Sequence, residues 1–89
     1  MATQQPRTVA QAVEWLCAML PEPVLAQIQN TPEEDLILLH FGLGTHIRNM
    51  LDLWHGNEAL RNDAGRVHPD DVSLVLIEAL WKKLRISLD

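Results

Sequence analysis

The chain has 89 residues, 47% of them hydrophobic, and a formal net charge of −5. That length supports one hydrophobic core and not two, and that hydrophobic fraction excludes a disordered tail or a collagen-like repeat. The single cysteine, Cys17, leaves no partner for an intramolecular disulfide and no second thiol for a cysteine-rich zinc site, which points to a reducing cytoplasm. No stretch reaches the roughly 18 apolar residues of a membrane span, and the opening MATQQPR lacks the order of a signal peptide.

Charge is unevenly spread. From Thr8 to Ile47 the chain carries five acids (Glu14, Glu22, Glu33, Glu34 and Asp35) and no Lys or Arg, whereas the signs balance after Leu60. A negative half repels nucleic acid and attracts basic protein surfaces. The expected partner is therefore a protein, a basic nucleic-acid-binding protein among the candidates, and neither nucleic acid itself nor a membrane.

Residues 1–7 are polar and contain Pro6, which predicts a flexible lead followed by one helical domain over 8–89. Thr8 and Gln11 have the form of a capping box, and Val9, Ala12, Val13, Leu16, Met19 and Leu20 follow at helical steps. The first helix should run from about Val9 to Met19 and stop before Pro21. After the turn at Pro21 and Pro23, the positions Val24, Leu25 and Ile28 predict a short amphipathic helix ending near Asn30. Thr31-Pro32-Glu33-Glu34 then reads as a third start, with Thr31 as cap and Pro32 in the first helical position.

Apolar residues keep helical spacing from Leu36 to Leu51 through Gly42 and Gly44. Each glycine costs about 1 kcal/mol in a helix interior, which favours a break or kink there, with Thr45 capping the helix beyond it. His55-Gly56-Asn57 marks a stop and a new cap, and residues 58–63 a short helical piece closed at Gly65. The last helix opens at His68-Pro69-Asp70-Asp71, buries Val72, Val75, Leu76, Ala79, Leu80 and Leu84, and ends among Lys82, Lys83 and Arg85, where the helix dipole favours positive charge. No period-two alternation demands a strand. The predicted fold is all-α, a compact bundle of about four to six helices, one or two of them short.

Catalytic signatures are lacking. His40, His46, His55 and His68 have neither the close pairing nor the companion cysteines of a zinc site, so no metal is expected. Cys17 falls in the apolar first helix and reads as a buried, inert thiol. Asp70 and Asp71 read as first-turn acids, and Gly42-Leu43-Gly44 lacks the spacing of a dinucleotide fingerprint. Neither an enzyme nor a cofactor is expected.

Arg48 and Asn49 stand amid apolar residues, where a buried arginine needs partners such as Asp71, Asp52 or backbone carbonyls. The favoured account is an internal network that locks the helix carrying Arg48 to the last helix. The alternative is that Arg48, Asn49 and Trp54 form a recognition patch, since Arg and Trp are enriched at interface hot spots. Candidate partner-binding residues are thus Glu14, Glu22, Glu33, Glu34, Asp35, Arg48, Asn49 and Trp54.

The ordered combination His40-Phe41-Gly42-Leu43-Gly44, Ile47-Arg48-Asn49, Leu53-Trp54, Asn57, Leu60 and His68-Pro69-Asp70-Asp71 with Ser73 resembles a family of small, uncharacterised bacterial and phage-encoded proteins, catalogued as a domain of unknown function. The resemblance covers roughly residues 40–80 and departs at Met50-Leu51-Asp52, where a more polar or aromatic filling is expected. It implies a compact cytosolic helical module from mobile or poorly annotated gene neighbourhoods, and no activity. The leading expectation is a non-enzymatic interaction module, an inhibitor of a host defence protein or an antitoxin or immunity partner that acts through its acidic surface. A structural homo-oligomer, with Trp15, Trp54 or Trp81 in a symmetric interface, is the alternative, and a histidine- or metal-dependent enzyme comes third.

Overall fold

A computed structural model describes residues 6–51, 57–66 and 68–86, with His40 described in its backbone alone. The described residues form six helical segments: α1 (Val9–Met19), α2 (Glu22–Asn30), a 3-10 helix (Glu33–His40), α3 (Leu43–Met50), α4 (Glu58–Ala64) and α5 (Pro69–Ile86). The fold is all-α, and no strand occurs among the described residues. A Cα radius of gyration of 12.3 Å matches the about 12 Å of a compact domain of this length, which a single core satisfies.

That core is organised around α5, the longest helix at 18 residues. It packs against α1, α2, the 3-10 helix, α3 and α4. On one face α5 buries Pro69, Val72, Ser73, Leu76, Ile77 and Leu80, the three- and four-residue steps of an amphipathic helix, while Asp71, Glu78, Lys82 and Lys83 face solvent. The expected core face therefore holds at Val72, Leu76 and Leu80, while Ile77, absent from it, is fully buried. Ala12 and Leu16 of α1, Ile28 of α2, Ile47 of α3, Leu60 of α4, and Leu51 just after α3 complete the centre of the core.

Local chemistry sets the ends of the segments. Thr8 Oγ1 accepts the Gln11 backbone N–H at 3.1 Å, and Gln11 Oε1 reaches back to the Arg7 N–H at 3.0 Å, one residue earlier than a capping box requires. Asp63 of α4 accepts a further N–H at this helix start, from Val9 at 2.7 Å. Of the expected flexible lead only residues 6 and 7 are described; Pro6 is buried and Arg7 is tied to Gln11, so these two belong to the packed domain. The prolines at 21 and 23 open α2, where a missing N–H costs no helical hydrogen bond. At Gly65 (φ +71°) the Arg66 N–H bonds the Arg61 carbonyl and the Gly65 N–H bonds that of Asn62, the Schellman pattern that closes α4.

Two expectations around the third segment are overturned. Thr31 does not cap it: its hydroxyl donates to the Gln27 carbonyl at 2.6 Å, which finishes α2, and its own carbonyl receives the Trp81 indole N–H at 2.7 Å. The segment is a 3-10 helix and not an α-helix. Its period of three aligns Leu36 and Leu39 on the inward side, so the segment meets α5 along a narrower stripe than an α-helix presents. The chain does break at Gly42, and α3 begins at Leu43. Thr45 lies inside α3, however, with its hydroxyl donating to the Phe41 carbonyl at 3.2 Å instead of capping.

Candidate functional site

The densest polar cluster centres on Arg48. This side chain sits in the second turn of α3, on the face that meets α5, and is only 6% exposed. Its Nη1 donates to Ser73 Oγ at 3.0 Å, its Nη2 donates to Thr45 Oγ1 at 2.8 Å, and its Nε lies 3.3 Å from Asp70 Oδ1. The Ser73 hydroxyl in turn donates to the Asp70 carbonyl at 2.8 Å. Above this, the Asp70 backbone N–H donates to His68 Nδ1 at 3.1 Å, so the imidazole serves the start of α5. The cluster thus joins one helix to the first turn of another through a charge held on three sides. The burial is one-sided: loss of the carboxylate leaves the guanidinium desolvated and short of a charge partner, whereas the Asp70 side chain, 40% exposed, stays in reach of water.

The geometry answers the question posed by Arg48 in favour of an internal network, and it changes the partner. Asp70, not Asp71, carries the carboxylate, since successive residues of a helix are turned by about 100° and Asp71 points outward. Asn49 is exposed beside the buried Arg48, so the two do not form one patch. Trp54 and Asp52 lie outside the described residues. Sequence reasoning did not single out Thr45, Asp70 and Ser73 as partners of Arg48; their signal was Thr45 three residues before the arginine on its own helix, and Asp70 and Ser73 three apart at the start of the helix opposite.

The acidic candidates are distributed over three elements: Glu14 on α1, Glu22 at the start of α2, and Glu33, Glu34 and Asp35 in the first turn of the 3-10 helix. Glu14, Glu22, Glu33 and Glu34 are exposed and Asp35 is half-buried. Only the last three are neighbours. Glu22 stands on the wall of an open groove of about 470 Å³ between α2 and the end of α5, lined mainly by Pro23, Leu25, Ala26 and Leu84.

Beyond the acids, the 3-10 helix exposes large apolar side chains: Ile37 is 59% exposed, Leu38 64% and the following Phe41 80%. Sequence reasoning missed these three. The signal was the unbroken run Leu36-Ile37-Leu38-Leu39, which no single helix face can bury. Its position is fixed at the head, where the Trp81 indole binds the Thr31 carbonyl and the Arg85 guanidinium stacks 4.5 Å from the Trp81 ring.

Other expected roles are less well served. Trp81, a candidate for a symmetric interface, is half-buried with its N–H engaged inside the chain. Trp15 is half-buried against the core. Cys17, expected to be buried, is also half-buried. Among the described residues, no group of three or more His, Cys, Asp or Glu side chains is placed to share a metal ion. No helix among them is long and apolar enough to cross a membrane.

These features define a class: a small all-α bundle wrapped around one central helix, pinned by a buried arginine network and presenting an acidic and apolar segment outward. Residues 5–84 match the family described as Domain of unknown function (DUF6794), and the chain belongs to that family. The match extends well beyond residues 40–80 and takes in α1, α2 and the 3-10 helix as well. No curated protein and no solved structure matches the chain.

Proposed function

We propose that this protein acts by binding another protein through its acidic half, without catalysing a reaction. The observation that carries the reading is that Glu14, Glu22, Glu33 and Glu34 face solvent on a stretch, residues 8–47, that holds no Lys or Arg. Such a surface competes for basic residues that otherwise hold nucleic acid, and long-range attraction speeds the encounter. On this reading the protein is a cytoplasmic inhibitor of a host defence protein, or an antitoxin or immunity partner, encoded by a phage or other mobile element. That origin rests on the motif running from Gly42 to Ser73.

Affinity purification of the tagged protein from its host cells, at low and high salt, tests this. The expected result is a basic, nucleic-acid-binding partner that is released by salt and lost when Glu33, Glu34 and Asp35 are all changed to Lys. Recovery of the protein alone contradicts the reading. A structural homo-oligomer is the second reading, favoured by the exposure of Ile37, Leu38 and Phe41. Sedimentation of the purified chain as a multimer would move it to first place.

A further inference from the structure

The outward side of the 3-10 helix has an order that its period creates. Three residues per turn put Glu33, Leu36 and Leu39 on one stripe, Glu34 and Ile37 on a second, and Asp35, Leu38 and Phe41 on a third. The first stripe supplies the buried Leu36 and the half-buried Leu39 to the core. Each of the other two starts with an acid and continues into side chains more than half exposed. Contiguous apolar surface bordered by charge is the usual mark of a protein-binding site.

From this we infer that Ile37, Leu38 and Phe41, headed by Glu34 and Asp35, dock a basic amphipathic segment of a partner protein. The inference rests on the binding role proposed above and names its surface. Charge complementarity selects the occupant. An apolar side chain on the partner covers Ile37 and Leu38 while a Lys or Arg on the same segment meets Glu34 and Asp35. A second copy of this chain fits less well. Pairing the face with itself in parallel sets Glu34 and Asp35 against the same acids, and antiparallel pairing lays those carboxylates over Leu38 and Phe41. A nucleic acid is repelled by the acids at the head of the face.

The test uses the full chain and a synthetic peptide with Leu at helical spacing and Lys on its opposite face. Two control peptides carry Glu in place of Lys, or Ser in place of Leu. Affinity is measured by calorimetry, the contact surface by amide chemical shifts, and oligomeric state by sedimentation. The Lys/Leu peptide should shift residues 33–41, and both controls should bind at least about tenfold more weakly. The double variant Ile37→Ser/Leu38→Ser should lose about tenfold or more in affinity and keep its unfolding midpoint, because both side chains are exposed. Equal affinity for that variant, or shifts centred on Glu14 and Glu22, would overturn the inference. So would a wild-type dimer that the double variant abolishes, since the occupant would then be a second copy. A host partner captured equally by this variant, yet lost on reversal of Glu33, Glu34 and Asp35, would sink the docking face while leaving the proposed function standing. Peptide docking on residues 33–41 without any host partner would do the reverse.

Discussion

The 3-10 helix and α3 flank Gly42, have eight residues each, and distribute polarity in opposite ways. Before the glycine, aliphatic side chains at 37 and 38 face solvent; after it, the guanidinium of Arg48 is buried. Residue type alone would have reversed both. Position against α5 decides the matter: the tight helix offers it one stripe, while α3 turns Arg48 toward Asp70 and Ser73 at the first turn of α5. The inward charge contributes to holding the fold and the outward apolar surface does not, so substitutions on the two sides should separate stability from binding.

The largest effect is expected from Arg48→Ala. It removes the donor to the buried Ser73 Oγ and opens a void between α3 and α5, while the part-exposed Asp70 is rehydrated, which should lower unfolding free energy by about 2 kcal/mol in urea titration. Arg48→Met retains most of the volume and should cost less; an equal loss would place the weight on charge pairing and not on packing. Trp81→Phe keeps an aromatic side chain but loses the pyrrole half of the indole, and with it the donor to the Thr31 carbonyl, and should cost about 1 kcal/mol or more with faster hydrogen exchange in residues 33–39. Ser73→Ala should also cost about 1 kcal/mol, and it should add less than that in an Arg48→Ala background, because the two groups share one network. Ile37→Ser/Leu38→Ser should change stability by no more than about 0.5 kcal/mol, the range of surface substitutions.

Much of the helical layout was readable from caps and prolines. Thr8, Pro21, Pro69 and Gly65 act locally, and the bounds of α1 and the start of α5 are set by them. The break at Gly42 was readable for the same reason. By contrast, Thr31 was misread because its hydroxyl and carbonyl serve Gln27 and Trp81, the second of them 50 residues away. A period of three was hidden because Leu36 and Leu39 satisfy both helical periods equally. The burial of Ile77 and the choice of Asp70 over Asp71 both depend on how α5 is rotated against its neighbours, which turns Ser73 and Ile77 inward and leaves the expected Val75 and Ala79 half-buried. Of the candidate site, the acids at 34 and 35 were legible from charge alone, whereas the apolar face they head required knowing which side of the segment meets the core.

The most direct test of this division is capture of the host partner by Ile37→Ser/Leu38→Ser protein, measured beside its thermal midpoint. The account predicts a midpoint within about 4 °C of the wild type and loss of the partner. A collapsed midpoint with the partner still bound would contradict it, because the exposed segment would then be part of what holds the fold together and not of what it binds.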